Sequence, residues 1–166
     1  MAAKSWDPLQ PKLEPHAGAV PKIVYDVLEA NSQSFKAGAL VYLSSGAVAA
    51  CADDPTKIWG IAMKDATNVT SGNVEIPVMI ITPEDHVIIR VQSSAGTAAL
   101  SSTLTPGTRY GTELDSNGVA YLLSSETTTD NWIFIEPVIG ADGAAGYEAR
   151  VSLISTVSDA FVGTGA

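Results

Sequence analysis

The sequence predicts an all-β fold: a compact antiparallel β-barrel or sandwich, carrying an extended proline-rich N-terminal arm. Three observations carry that expectation. Apolar runs of strand length recur along the chain, turn residues divide them at near-regular spacing, and no stretch sustains a helical period. The 166 residues are also close to the usual size of one domain. A chain of that length buries about 70% of its unfolded surface on folding, enough for a true core.

Residues 1–21 are the expected arm and residues 22–166 the expected body. Four of the nine prolines, Pro8, Pro11, Pro15 and Pro21, fall in the arm. Proline has no N–H to donate and a fixed φ, so this density suits neither a helix interior nor a central strand. Polyproline-like chain rises about 3.1 Å per residue, so the arm would reach roughly 65 Å. Trp6, Leu9, Leu13 and Val20 are spaced along it. With Pro8, Pro11 and Pro15 they are the candidate contacts to a partner or a neighbouring subunit, because aromatic residues concentrate where surfaces bind. The plainer reading is a leader without fixed structure.

In the body, Ile23–Leu28 reads as a first strand. Ala39–Leu43 and Ala47–Cys51 flank Ser44-Ser45-Gly46 as a hairpin, Gly46 supplying a positive φ. Ile58–Met63 follows the Asp53-Asp54-Pro55 turn. Val74–Ile81 and His86–Val91 are expected as a second hairpin around Thr82-Pro83-Glu84-Asp85, with Pro77 marking an edge strand or a bulge. Thr108–Leu114 and Val119–Leu123 enclose Asp115-Ser116-Asn117-Gly118, a strong hairpin signal. Trp132–Ile139 and Glu148–Ile154 complete about ten strands, and Ala95–Leu104 could hold one helical turn.

Composition narrows the class. Charged residues are 16%, below the typical level of about 25%, and nine Lys+Arg against eighteen Asp+Glu give a net charge of −9. Lys4 and Lys12 balance Asp7 and Glu14, so the arm is neutral and the body carries the whole excess. Such a surface argues against nucleic acid, whose phosphates are held by Lys and Arg. No run approaches the roughly 20 apolar residues that span a bilayer, and no secretory leader is recognisable, so the expectation is a soluble protein made in a reducing cytoplasm. A single cysteine, Cys51, excludes an internal disulfide framework and a cysteine-based zinc site.

No catalytic, cofactor-binding or metal-binding constellation emerges. His16 and His86 stand alone, and Glu84-Asp85-His86 lies in an expected turn where charges face solvent. Cys51 reads as a small buried hydrophobe rather than a nucleophile. Gly140–Gly146 lacks the Lys-Ser/Thr and the helix of a phosphate loop. Asp53, Asp54 and Asp142 belong to no spaced calcium motif. Asn68-Val69-Thr70 would matter as a glycosylation site only in a secretory pathway. Arg90, Arg109 and Arg150 are expected to pair with surplus carboxylates. The chain is thus read as a non-enzyme.

One pattern remains. Ser34-Phe35-Lys36-Ala37-Gly38-Ala39-Leu40-Val41-Tyr42, then Gly46-Ala47-Val48, then Ile58-Trp59-Gly60-Ile61-Ala62-Met63-Lys64-Asp65-Ala66 form an F-x-x-G-x-x-V strand followed by a G-I-A strand ending near Asp-Ala. Pro106-Gly107-Thr108-Arg109-Tyr110-Gly111, Asn117-Gly118 and Val151-Ser152-Leu153-Ile154 extend the likeness over residues 23–154. The pattern resembles the head decoration (cement) proteins of tailed bacteriophages. The resemblance implies a β-barrel with an N-terminal arm on the outer surface of a virion capsid. It also implies binding at junctions of major capsid protein subunits, association with copies of itself as a trimer or dimer, and stabilisation of the shell. No arm residue is carried over from that family by motif. The alternative is a carbohydrate- or receptor-binding β module using exposed tryptophans, and a third is a small enzyme built around His86.

Overall fold

The computed structural model describes residues 10–115, 118–127, 131–140 and 143–154. Within them the chain is almost entirely β, in two sheets. The strands are β1 (Lys12–Glu14), β2 (Ile23–Val24), β3 (Leu40–Ser44), β4 (Ala47–Ala50), β5 (Gly60–Ala62), β6 (Val78–Ile80), β7 (His86–Ser94), β8 (Thr97–Ala98), β9 (Arg109–Tyr110), β10 (Thr112–Leu114), β11 (Ala120–Leu123), β12 (Trp132–Ile139) and β13 (Ala145–Leu153). Single 3₁₀ turns lie at His16–Gly18 and Ser101–Thr103.

The larger sheet runs β10-β11-β7-β13-β12-β9, with β1 and β8 also paired to β7. Its two end strands, β9 and β10, are one stretch of chain separated by Gly111. Gly111 donates its N–H to the Glu126 carbonyl and accepts from the Leu123 N–H. The sheet therefore bends round to meet itself as a nearly closed barrel, which removes exposed edges. Its pairings are antiparallel except β11 on β7, where Leu122 faces Val91 in parallel. The smaller sheet runs β2-β6-β5-β3-β4, all antiparallel.

Two apolar clusters follow from the period-2 alternation of strand side chains. Leu40 and Ile61 face the barrel interior, with Trp132, Phe134, Leu122, Val151 and Ile89. Their neighbours Val41 and Ala62 face the opposite side, over a second core with Phe35, Trp59, Ile76 and Val78. The smaller sheet is thus buried on both faces and serves as a lid on the barrel. At Gly60 a Cβ would lie 2.7 Å from Val78 Cγ1 and closer still to the Met79 carbonyl oxygen, so only glycine lets β6 approach β5.

Buried polar groups tie the lid to the barrel. Asn131 donates to the Pro55 carbonyl (2.7 Å) and accepts from the Thr112 N–H, while the Trp132 indole N–H donates to the Thr112 hydroxyl at 2.6 Å. Asp53 accepts from the Leu114 N–H and the Asp54 N–H donates to the Thr112 carbonyl, both at 2.7 Å. The acidic turn is a clamp on β10.

Several sequence expectations are corrected. Ile23–Leu28 yields only the two residues of β2, followed by an isolated bridge from Leu28 to Glu75. The hairpin expected around Thr82–Asp85 does not exist. β6 pairs with β2 and β5 while β7 enters the barrel, so the turn is a crossover between sheets. Its conformation is nonetheless tight, because Asp85 accepts from the Thr82 N–H and hydroxyl. Pro77 sits just before β6, a central strand, and offers only its carbonyl, to the Met63 N–H. Thr108–Leu114 divides at Gly111 into two strands. The hairpins β3–β4, with Ser45 and Gly46 both at positive φ, and β10–β11 form as expected, although Asn117 lies outside the described residues.

Candidate functional site

The N-terminal segment is described from Gln10. Trp6, Pro8 and Leu9 lie outside the described residues. Gln10 and Pro11 are buried, and Gln10 fills the space a side chain at Gly38 would need, its Cγ lying 2.6 Å from that Cβ position. Lys12-Leu13-Glu14 then alternates as a strand: Leu13 packs against the barrel core while its charged neighbours turn outward. β1 aligns Lys12 with Ile88, Leu13 with Val87 and Glu14 with His86. Pro11 and Pro15 flank the strand, where a missing N–H breaks no ladder bond. Pro11 and Leu13, expected as contacts to a partner, are therefore occupied within their own body. Pro15 is half-buried, and Val20 is 90% exposed.

Ion pairs hold β1 across β7 to β13. Arg150 Nε donates to Glu14 at 2.7 Å and Arg150 also pairs with Glu136 on β12. Lys12 reaches Glu148 at 3.2 Å. The hydrogen bond from Arg150 holds the Glu14 carboxyl below the usual range against a smaller effect of burial, aided by the charges of Arg150 and His86.

The loop that receives Gln10 leads to an exposed apolar flank. The Gly38 N–H donates to the Ala62 carbonyl, and the next residue, Met63, bonds to Pro77. Tyr25 and Leu28, 58% and 50% exposed, line a shallow concavity with Pro77 and Lys64. Gly38 and Pro77 thus bond to opposite edges of the same Ala62–Met63 peptide unit. The sequence conceals the flank, because Tyr25 and Leu28 read as part of a longer strand.

Two of the reactive-looking residues, Asp85 and Cys51, make contacts within the body. Asp85 binds Thr82 and the His16 N–H. Cys51 is buried and its thiol contacts the Lys57 carbonyl. Burial, then the nearby carboxylates of Glu126, Glu113 and Asp53, push Asp54 above its usual range. Asp142 lies outside the described residues. Arg90 pairs with Asp115 at 2.5 Å. Trp59 and Trp132 are buried, so neither offers a platform on which a sugar ring could stack. Among the described residues no group of three His, Cys, Asp or Glu side chains is arranged to hold a metal ion.

Nothing in the sequence singles out Glu29, a carboxylate only 1% exposed. It accepts from the Thr67 N–H at 2.7 Å, from the Thr67 hydroxyl and from the Val74 N–H. Burial pushes this carboxyl up, but the Thr67 and Val74 donors and the charge of Lys64 outweigh it and hold the group below its ordinary range. Asn73 completes the contact by donating to the Glu29 carbonyl. Glu29 thus fastens residues 67–74 to the smaller sheet.

Of the resembling segments, residues 34–48 and 58–66 build the lid, while Arg109, Tyr110 and residues 151–153 belong to barrel strands. Phe35 is buried in its core, Gly38 has φ +94°, and Asp65 accepts from the Ala37 N–H and pairs with Lys36. No protein family matches the chain, and a search of curated proteins returns no match.

Proposed function

We propose that this protein is a capsid decoration protein, a non-enzymatic cement that binds the outside of a phage head and stabilises the shell. Its partner is the major capsid protein, at junctions between subunits, and copies associate there as trimers or dimers. The observation that supports this reading is the exposed pair Tyr25 and Leu28, which line one shallow concavity with Pro77 and Lys64. Apolar side chains grouped at the surface of an acidic, hydroxyl-rich chain fit a surface contact. Many weak contacts of this kind, repeated over a shell, add through avidity.

The test adds purified protein to undecorated heads and measures occupancy by sedimentation and the temperature at which the heads rupture. Full-length protein should saturate the shell and raise that temperature. Removing residues 1–9 should reduce occupancy while leaving β1 and the body folded. Heads that neither bind the protein nor gain resistance would exclude the cement role.

A further inference from the structure

We propose that β1 is an exchangeable strand: the Lys12–Glu14 segment of one copy seats on the β7 edge of a second copy, reciprocally. The seat lies wholly outside the sequence neighbourhood of β1. It comprises the backbone of residues 86–88, the barrel core that accepts Leu13, and the charges of Arg150 and Glu148. A second copy presents the same seat, so exchange reproduces each pairing between two chains instead of within one. No other partner need be postulated, because the occupant must alternate cation, apolar residue and anion as Lys12-Leu13-Glu14 does.

The connection between β1 and β2 is built to permit this. Residues 16–20 are all exposed. Their bonds are largely local, Gly18 N–H to Pro15 and Ala19 N–H to His16, with one tie to the body from the His16 N–H to Asp85. Ala17 is held at φ +51°, a region an alanine avoids, and straightening the link would release it. Pro15 and Pro21 favour extended chain at both ends. Fully extended, residues 15–22 span about 28 Å, which limits how far apart two exchanging bodies can stand. Exchange of this kind costs mainly the entropy of association, which high local concentration offsets.

Exchange takes place between copies in solution, independently of any capsid, so the test contains no shell. Glu14→Arg and Arg150→Glu are made in separate full-length chains. Each alone places like charges at the seat. In the mixture, reciprocal exchange brings the substituted arginine at position 14 of one chain against the substituted glutamate at position 150 of the other. At the second seat the unaltered Glu14 and Arg150 meet, and only the exchanged heterodimer forms both oppositely charged pairs. Sedimentation should show each variant as a monomer and the mixture with a dimer fraction at least tenfold that of either alone. The double variant in one chain, E14R/R150E, should return to the behaviour of the unaltered protein.

A second readout guards against variants that fail to fold. Chains carrying Lys12→Cys and Ile88→Cys, which are register partners, are mixed under mild oxidation, with Ser45→Cys as the background for chance collision. Exchange yields a cross-chain disulfide between positions 12 and 88 well above that background. Either a heterodimer or that disulfide supports the exchange. A mixture at monomer mass with no cross-chain bond above background overturns it.

Discussion

The Glu14 carboxylate and the Arg150 guanidinium meet at 2.7 Å, 136 positions apart in sequence, across the strand β7 that separates β1 from β13. The contact adds to the β7 ladder and the packing of Leu13 in holding a short proline-flanked segment on the barrel. Because Arg150 holds the folded carboxyl below its usual range, the pair stabilises the docked strand above that range. The contribution disappears as pH falls through the depressed folded value, since protonation removes the acceptor charge. Glu14→Gln should therefore speed amide exchange in β1 several-fold near neutral pH, for a loss of about 0.2–1 kcal/mol at a partly exposed pair. Below the carboxylate range the variant and the unaltered chain should converge. A difference that persists at acid pH would assign the effect to shape rather than charge.

Glu29 allows a sharper measurement because it is buried. Thr67→Val removes the hydroxyl donor, and Glu29→Gln removes the charge while keeping the shape; each should cost about 1–3 kcal/mol in thermal unfolding. Its folded carboxyl is also held low, so its stabilisation is present above the ordinary glutamate range and fades as acid protonates the folded group. Amides of residues 67–74 should lose protection first. Uniform loss across both sheets would show that the carboxylate supports the whole fold instead of fastening that segment.

The strand pattern carried most of the architecture because it reports local physics. Alternation and turn residues identify β3–β4 and β10–β11, where a few adjacent residues determine both partners. The failures share one cause. Nothing near Thr82–Asp85 says that β6 and β7 enter different sheets, since that choice depends on which distant strands offer an edge. Lys12-Leu13-Glu14 has the right alternation, but three residues between prolines are too few to distinguish a strand from extended chain. Neutrality of the first 21 residues is visible as arithmetic. That Glu14 and Lys12 spend their charges on Arg150 and Glu148 is not, because pairing at that separation is a property of the closed barrel.

Gly60 tests the lid. A Cβ there would meet Val78 Cγ1 at 2.7 Å and would press harder still on the Met79 carbonyl oxygen. Backbone cannot give way as a flexible side chain would, so Gly60→Ala should separate β5 from β6 and cost at least the roughly 1–3 kcal/mol typical of overpacking. Gly46→Ala meets no neighbouring atom but sits at φ +83°, and should cost only about 1 kcal/mol from the backbone. Thermal denaturation of the two variants should rank them in that order; equal losses would mean that crowding at β5 is relieved by movement of the sheet.

The exposed flank separates binding from stability. Tyr25 and Leu28 lie mostly outside either core, so Tyr25→Ser with Leu28→Ser should leave the melting transition unchanged to within about 0.5 kcal/mol. An apolar side chain fully covered in an interface contributes about 1.5–3 kcal/mol, which is tenfold or more in affinity. If this flank faces the shell, the double variant should bind undecorated heads at least tenfold more weakly while sedimenting in solution like the unaltered protein. Val20→Ser is the control, since Val20 is 90% exposed but lies in the link before β2, apart from the residues that line the concavity. A loss of head binding by Val20→Ser alone would move the contact to the link. Binding unaffected by any of the three substitutions would exclude both surfaces and leave residues 1–9 as the remaining attachment.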